Sequence, residues 1–216
     1  FITYNVSDEL FAQATAGIPE LSGRSFEITP NGYRLIQSEP MTAQQECFLR
    51  SLLAYRIPSP IESRYDCSPF NPLKFVIDAM FELQALGSES SLSFAEFALF
   101  IQTTTPTDGV RAIAEQIIQF RQRKGNWTGN LRNFFRQEYR ETVLKIHPEV
   151  PEEKIDTKAQ TLDDYADLSF RYLKATGLFR SKGDGIALNS AKIEEANKIH
   201  EREETQYDDA AYLCNL

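Results

Sequence analysis

The feature that most constrains the fold is a series of amphipathic segments that begin and end with helix-capping residues. Between Pro72 and Gly87, apolar side chains recur at helical spacing, and the glycine is a typical helix stop. Ser93 and Glu96 have the spacing of a capping box, which predicts the first turn of another helix. Comparable patterns predict helices over residues 8–16, 30–36, 42–57, 108–123, 131–146, 161–175 and 190–204.

Two short β segments interrupt this helical pattern. Residues 178–188 carry apolar side chains on both sides of Lys182-Gly183-Asp184-Gly185, and this predicts a hairpin because Asp-Gly tolerates positive φ. Residues 25–29 alternate like a strand and precede Pro30, which fits the first position of a helix. A winged helix typically has this order: helices, then a strand, a basic turn, a second strand and a further helix. We therefore predict a mainly α protein with small β hairpins, made of tandem winged-helix-like DNA-binding subdomains.

The stretch over residues 58–69, rich in Pro, Ser and Arg, is the predicted domain boundary. Residues 1–60 are interpreted as the remainder of a first winged-helix-like subdomain plus a bridging helix. Residues 61–200 are interpreted as a second such subdomain with a helical insertion, and 201–216 as an acidic tail or the start of a linker. The first residue is Phe rather than Met. We therefore expect the chain to derive from a longer parent.

Charge is distributed unevenly along the chain. The net charge of −8 argues against a general polyanion binder. Residues 121–136 nevertheless contain five basic and no acidic residues, and we call this segment the basic island. It is predicted either to contact a phosphate backbone or to form a solvated loop, and Trp127 within it either stacks on nucleic acid or anchors the core. Its cations are Arg121, Arg123, Lys124, Arg132 and Arg136.

The helix predicted over 161–175 has further cations around it. Thr161 is its expected cap, and apolar spacing directs Tyr165, Leu168, Tyr172 and Leu173 to the core. Lysine and arginine side chains fix a protein on DNA by contacting phosphates, although each can equally be surface charge paired with aspartate. We expect Lys158, Arg171 and Arg180 to share one surface. The complete set of candidates here is Lys154, Lys158, Arg171, Lys174, Arg180 and Lys182.

Patterns typical of catalysis are sparse. The two histidines, His147 and His200, lie far apart, and the sequence has no P-loop and no GxSxG motif. Glu149, Glu152 and Lys154 distantly resemble a metal-dependent nuclease motif, but a proline-broken loop is the simpler interpretation. The three cysteines have no metal-ligand spacing. We predict no catalytic residue and no cofactor in this chain.

The sequence contains no apolar run of the roughly 20 residues that cross a bilayer, and its start has no signal-peptide pattern. We therefore expect a cytoplasmic protein without a membrane partner. A helical protein-interaction module that binds a basic partner is the alternative to DNA recognition. Salt dependence distinguishes them, because DNA binding weakens steeply with salt.

Several ordered motifs together resemble one known family. The sequence is similar to the DNA-recognition region of the AlwI family of type II restriction endonucleases, which includes a nicking enzyme. The resemblance covers roughly residues 26–200. It rests on FEITPNGYRLI, FLRSLLAYRIPS, NPLKFVI, LSFAEFALF, AEQIIQFR, KIDTK and DDYADLSFRYLKATGLF.

This resemblance implies a partner and a parent activity. The partner is double-stranded DNA, and the parent enzyme carries a separate nuclease domain that uses Mg²⁺, in the same chain or in a second subunit. Carried over onto the matching positions, Lys154, Lys158 and Arg171 lie at the DNA. No nuclease domain is expected in residues 1–216, so this chain alone is expected not to cut.

Overall fold

The computed structural model describes residues 30–58 and 68–203. The chain forms two compact units, the first being Phe1–Pro72 with Glu204–Leu216 and the second Leu73–Glu203. Residues 59–67 of the predicted boundary stretch lie outside the described residues. The helix predicted over 8–16, the strand over 25–29 and the tail beyond residue 203 lie outside the described residues.

In the first unit, two helices are joined by side-chain amides. Helix α1 spans Pro30–Gln37, so Pro30 occupies the predicted first position, and α2 spans Met41–Ala54. The amide of Asn31 donates to the carbonyl of Cys47 and to the hydroxyl of Ser51, at 3.0 and 2.9 Å. Helix α2 ends three residues earlier than predicted because the backbone becomes extended and Ile57 pairs with Phe70.

The second unit is mostly helical. Short 3-10 turns at Pro106–Asp108, Glu152–Lys154 and Ser190–Lys192 precede three of its helices. Across the described ranges, no helix has both the length and the apolar character that crossing a membrane requires. The helices are α3 (Pro72–Ala85), α4 (Phe94–Glu96, continued by a π-helical turn at Phe97–Ile101), α5 (Val110–Asn126), α6 (Leu131–Ile146), α7 (Ile155–Ala175) and α8 (Ile193–His200).

The predicted capping box and hairpin are both present. The Ser93 hydroxyl accepts from the Glu96 amide at 3.3 Å, and the Glu96 carboxylate accepts from the Ser93 amide at 2.9 Å. Strands β1 (Phe179–Lys182) and β2 (Gly185–Leu188) pair in antiparallel fashion. Leu92 extends this sheet by exchanging two backbone hydrogen bonds with Ile186. A Cβ on Gly185 would lie 2.0 Å from the Leu92 carbonyl oxygen, so glycine is required there.

Helix α7 departs most from its prediction. It begins at Ile155, and the Thr161 hydroxyl donates to the Thr157 carbonyl within the helix instead of capping it. Its buried side consists of Ile155, Ala166, Phe170 and Leu173. The prediction that Tyr165, Leu168 and Tyr172 face the core is wrong, since these side chains are exposed.

The packing of α4 explains this reversal. Phe170 of α7 makes edge contacts with Phe94 and Phe97, at ring-centroid distances of 5.5 and 4.8 Å. Helix α7 has apolar residues on two sides, so spacing alone does not identify the buried one. The neighbouring phenylalanines supply apolar surface to only one of those sides, and burial there decides the orientation of the helix.

Candidate nucleic-acid interface

The first cation of the basic island, Arg121, is used inside the fold. Its guanidinium binds both carboxylate oxygens of Glu96 at 2.9 and 3.0 Å. The remaining donors bind the Ser88 hydroxyl and the carbonyls of Glu89 and Ser91 at 2.5–2.8 Å. All five N–H groups of the guanidinium therefore have protein partners. This arrangement joins α5 to the capping box and leaves Arg121 no free donor for a phosphate.

The next residues of the island hold α5 against α6. Arg123 donates to both carboxylate oxygens of Glu138, at 3.1 and 2.7 Å, and these bonds raise the pKa of Arg123 because they favour its charged form. The ammonium of Lys124 lies 5.3 Å from the ring centroid of Phe135. These contacts stabilise the two-helix arrangement.

Trp127 anchors the turn between these helices. Its ring packs on Phe134 with centroids 5.5 Å apart, and its indole N–H donates to the Asn130 carbonyl at 3.2 Å. A Cβ on Gly129 would approach the indole nitrogen to 2.9 Å. The side chain is nevertheless 38% exposed, so Trp127 packs at the edge of the core, and stacking on nucleic acid stays a prediction.

Helix α6 also binds the start of α7 through its arginines. Arg136 pairs with Asp156 at 2.8 Å, and Arg140 pairs with Asp156 at 3.4 Å and with Glu152. The hydrogen bond with Glu152 raises the pKa of Arg140. Sequence reasoning missed the role of Arg140, which lies beyond the basic island. In contrast, the exposed side chain of Arg132 has no hydrogen bond or ion pair with any described residue.

The cations around α7 divide into paired and unpaired groups. Arg171 pairs with Asp167 one turn earlier, and Lys182 of β1 pairs with Glu89. Arg171 and Lys158 lie about 140° apart around the helix axis, because successive residues are about 100° apart. The expectation that they share one surface is therefore wrong. Within the described ranges, no partner is found for the exposed side chains of Lys154, Lys158, Lys174 and Arg180.

One side of α7 is exposed but almost uncharged. Its residues recur at intervals of three and four, which places them on one side of the helix. Tyr165 is 58% exposed, Leu168 38% and Tyr172 39%. The sequence signal for this exposure was Phe170, an apolar residue on another side of the helix, which could face the core in place of these three side chains. We call this surface the α7 outer face, and it consists of Lys158, Thr161, Tyr165, Leu168 and Tyr172.

Comparison with known families identifies the chain. The model of the AlwI restriction endonuclease family matches residues 15–216. The chain belongs to the AlwI restriction endonuclease family. The match starts before and ends after the range over which the motifs alone had indicated a resemblance. No curated protein sequence matches the chain.

Membership of the AlwI family indicates a restriction-enzyme role in which DNA is the substrate. The predicted family and the predicted DNA partner are confirmed at this level. The DNA-contact role of each of the eleven candidate cations stays a prediction. The structure separates them by availability, since several already have carboxylate partners and others have none.

Metal binding requires a different arrangement of side chains from the one described. In residues 30–58 and 68–203, no three His, Cys, Asp or Glu side chains gather as metal ligands. Glu152 is paired with Arg140, and Glu149 lies 3.8 Å from the Nδ1 of His147. These residues do not fit the Mg²⁺ that the AlwI resemblance implies for the parent nuclease. No metal-dependent step is assigned to them.

Proposed function

We propose that this chain is the sequence-specific duplex reader of an AlwI-family restriction endonuclease, with α7 and the β1–β2 hairpin at the DNA. The observation that carries the proposal is the exposed α7 outer face, with unpaired cations near both ends of the helix. Cleavage, and the Mg²⁺ that it uses, are assigned in this proposal to a nuclease domain or second subunit outside residues 1–216.

The order of elements supports a winged-helix interpretation of the second unit. Helix α3 is followed by the strand position at Leu92, then by α4, α7, β1 and β2. Helices α5 and α6 lie between α4 and α7 in the chain, as a helical insertion would. In winged helices one helix enters the major groove while the hairpin lies along the backbone. Helix α7 directly precedes the hairpin and corresponds to that groove-binding helix.

The dimensions and charges of α7 fit this role. Lys154 and Lys174 are twenty residues apart, or about 30 Å at 1.5 Å per residue. The major groove is about 12 Å wide. A helix that crosses the groove can therefore bring Lys154 and Lys158, near its start, to one phosphate rim while its middle lies against base edges. Lys174 lies about 160° from Tyr172 around the helix axis, so it leaves α7 on another side than the outer face. Arg180, on the strand that follows, adds a cation on the hairpin side.

The candidate contacts are ranked by the ion pairs and hydrogen bonds that each side chain already makes. Lys154, Lys158, Lys174, Arg180 and Arg132 are available without breaking any described ion pair. To contact DNA, Arg171 and Lys182 must break an ion pair with a carboxylate and bind a phosphate instead. Such an exchange is inexpensive, because exposed ion pairs contribute only about 0–1 kcal/mol. Arg121, Arg123, Lys124 and Arg136 are proposed to stabilise the fold and to leave the interface to the others.

Selection from a randomised duplex pool tests the proposal. We expect one short motif to be enriched, and its affinity to fall linearly with the logarithm of salt concentration. The double variant Lys154→Ala/Lys158→Ala should reduce the steepness of that dependence by about 0.9 for each phosphate that the variant no longer neutralises. The matched control is Lys198→Ala, an exposed lysine on α8, which should keep the slope of the parent.

Two results would contradict the proposal. One is the absence of any enriched motif together with absence of duplex binding at low salt. The other is tight, salt-sensitive binding of basic peptides in place of DNA, which would favour the interaction-module alternative. Circular dichroism of each variant shows whether a loss of binding reflects a loss of folding.

A further inference from the structure

The α7 outer face has an unusual composition for the exposed side of a helix. Solvent-facing helix sides are normally polar and charged. Over the fifteen residues from Lys158 to Tyr172, this face carries one charge, at its first position. The side chains of Tyr165, Leu168 and Tyr172 present aromatic and aliphatic carbon to the outside.

The acidic residues of α7 lie at the edge of this face or away from it. Asp164 accepts a hydrogen bond from Gln160 at 3.1 Å, and Asp167 pairs with Arg171. At about 100° per residue, Asp164 lies about 40° from Leu168 and so borders the outer face, whereas Asp167 lies about 100° from Leu168 and 160° from Tyr165. The buried side, around Phe170, is occupied by the core. The outer face is thus an apolar surface with Lys158 at its first position and the Asp164 carboxylate at its edge.

This pattern complements a DNA major groove. Phosphates form both rims of the groove and match the charge of Lys158. The floor is polar except at one group, the 5-methyl of thymine, to which 5-methylcytosine adds a second source at the equivalent ring position. Apolar side chains on a groove-facing helix can bury this methyl, whereas they leave the hydrogen-bonding edges of other bases without partners.

We propose that Thr161, Tyr165 and Leu168 of the α7 outer face recognise pyrimidine 5-methyl groups in the major groove. This inference rests on the proposed function and specifies how part of the site is read. Lys158 contacts a neighbouring phosphate and thereby fixes how deeply α7 enters the major groove. The Tyr165 hydroxyl remains free to bond a base edge or phosphate beside the methyl. Removing one recognised methyl weakens binding about fourfold, the effect of one buried carbon.

The experiment uses the full chain and the motif enriched by selection. Each thymine of the cognate duplex is replaced in turn by uracil, which removes only the methyl group, and each cytosine by 5-methylcytosine. We expect a rise in Kd of about fourfold at one or more thymines, or a matching fall in Kd at one methylated cytosine. The first result identifies thymine as the source of the methyl, and the second identifies 5-methylcytosine.

Variants assign the effect to the outer face. Leu168→Ala and Tyr165→Ala remove exposed carbon, and we expect the ratio of Kd values for uracil and thymine duplexes to approach one. Leu144→Ala is the matched control, because Leu144 is a similarly exposed leucine on α6. That variant should keep the ratio of the parent chain.

The outcomes separate this inference from the proposed function. An enriched motif whose affinity is insensitive to every methyl change overturns the inference and leaves duplex recognition intact. A methyl effect that persists unchanged in both Leu168→Ala and Tyr165→Ala also overturns it, since other residues would then read the methyl. Absence of any enriched motif overturns the proposed function and this inference together.

Discussion

The basic island and the α7–hairpin region are both rich in cations, yet they use them differently. In the island, Arg121, Arg123 and Arg136 bind carboxylates, and Lys124 lies over an aromatic ring. Near α7, Lys158 and Arg180 are exposed and have no partner among the described residues. The denser cluster of positive charge in the sequence is therefore the less available one. Local basic composition identifies a binding surface only when the fold leaves the charges unpaired.

The largest expected effect concerns which side of α7 is buried. Phe170→Ala should reduce the free energy of unfolding by about 4 kcal/mol, because it removes an aromatic ring from the core. The matched variant Tyr165→Ala should change it by about 0.5 kcal/mol or less, since its ring is exposed. Urea denaturation measures both. Equal reductions in the two variants would contradict the assigned orientation of α7.

Arg121 tests whether the island is structural. Arg121→Ala should cost about 3 kcal/mol of unfolding free energy, because it leaves the buried carboxylate of Glu96 without its cation. Arg132→Ala, on the same island, should cost less than about 0.5 kcal/mol. Thermal or urea unfolding provides the comparison. A stable Arg121→Ala protein that no longer binds DNA would contradict the structural role and indicate that Arg121 contacts DNA.

A gain of affinity would sharpen the comparison further. Glu89→Gln frees Lys182 from its ion pair and removes a negative charge beside the hairpin. We expect Kd for the cognate duplex to fall about fivefold at about 0.15 M salt, the effect of one added phosphate contact. Glu195→Gln, which frees Lys192 beside helix α8, should leave Kd within about twofold of the parent, since no phosphate contact is proposed there. Fluorescence anisotropy titrations decide between the two outcomes.

The smallest effect distinguishes two arginines of α6. Arg136→Ala removes an exposed pair with Asp156 and should cost about 0.5 kcal/mol of stability, a difference that high salt removes. Its Kd for DNA should stay within about twofold, whereas Arg132→Ala should raise Kd about fivefold at about 0.15 M salt. A larger reduction of binding in Arg136→Ala than in Arg132→Ala would reverse the ranking of these side chains.

Local signals predicted much of the fold. The start of α1 at Pro30, the capping box at Ser93 and the hairpin each depend on residues a few positions apart, and each is present. The positive φ of the hairpin turn is at Gly183, however, and not in the Asp184-Gly185 pair. Helix ends were less accurate. The start of α7 was placed six residues late, because Thr161 resembles a cap but lies within a longer helix.

The candidate site was only partly predictable. The sequence identified which residues are cations, but their availability depends on partners distant along the chain. Arg121 meets Glu96 across 25 positions and Lys182 meets Glu89 across 93. No spacing rule in the sequence relates such pairs. The outer face of α7 was missed for a related reason. Which side of α7 is exposed follows only once it is known that α4 packs against the side of Phe170.

The sequence by itself determined the helical character, the capping box at Ser93, the hairpin and the family, since these depend on local backbone preferences and on ordered motifs. Tertiary structure alone decided which cations are neutralised and which side of α7 is exposed. Charge pairing and apolar burial act through space between groups far apart in the chain. For that reason, the arginines of the most basic segment are mostly paired with carboxylates, while an apolar face of α7 is left exposed.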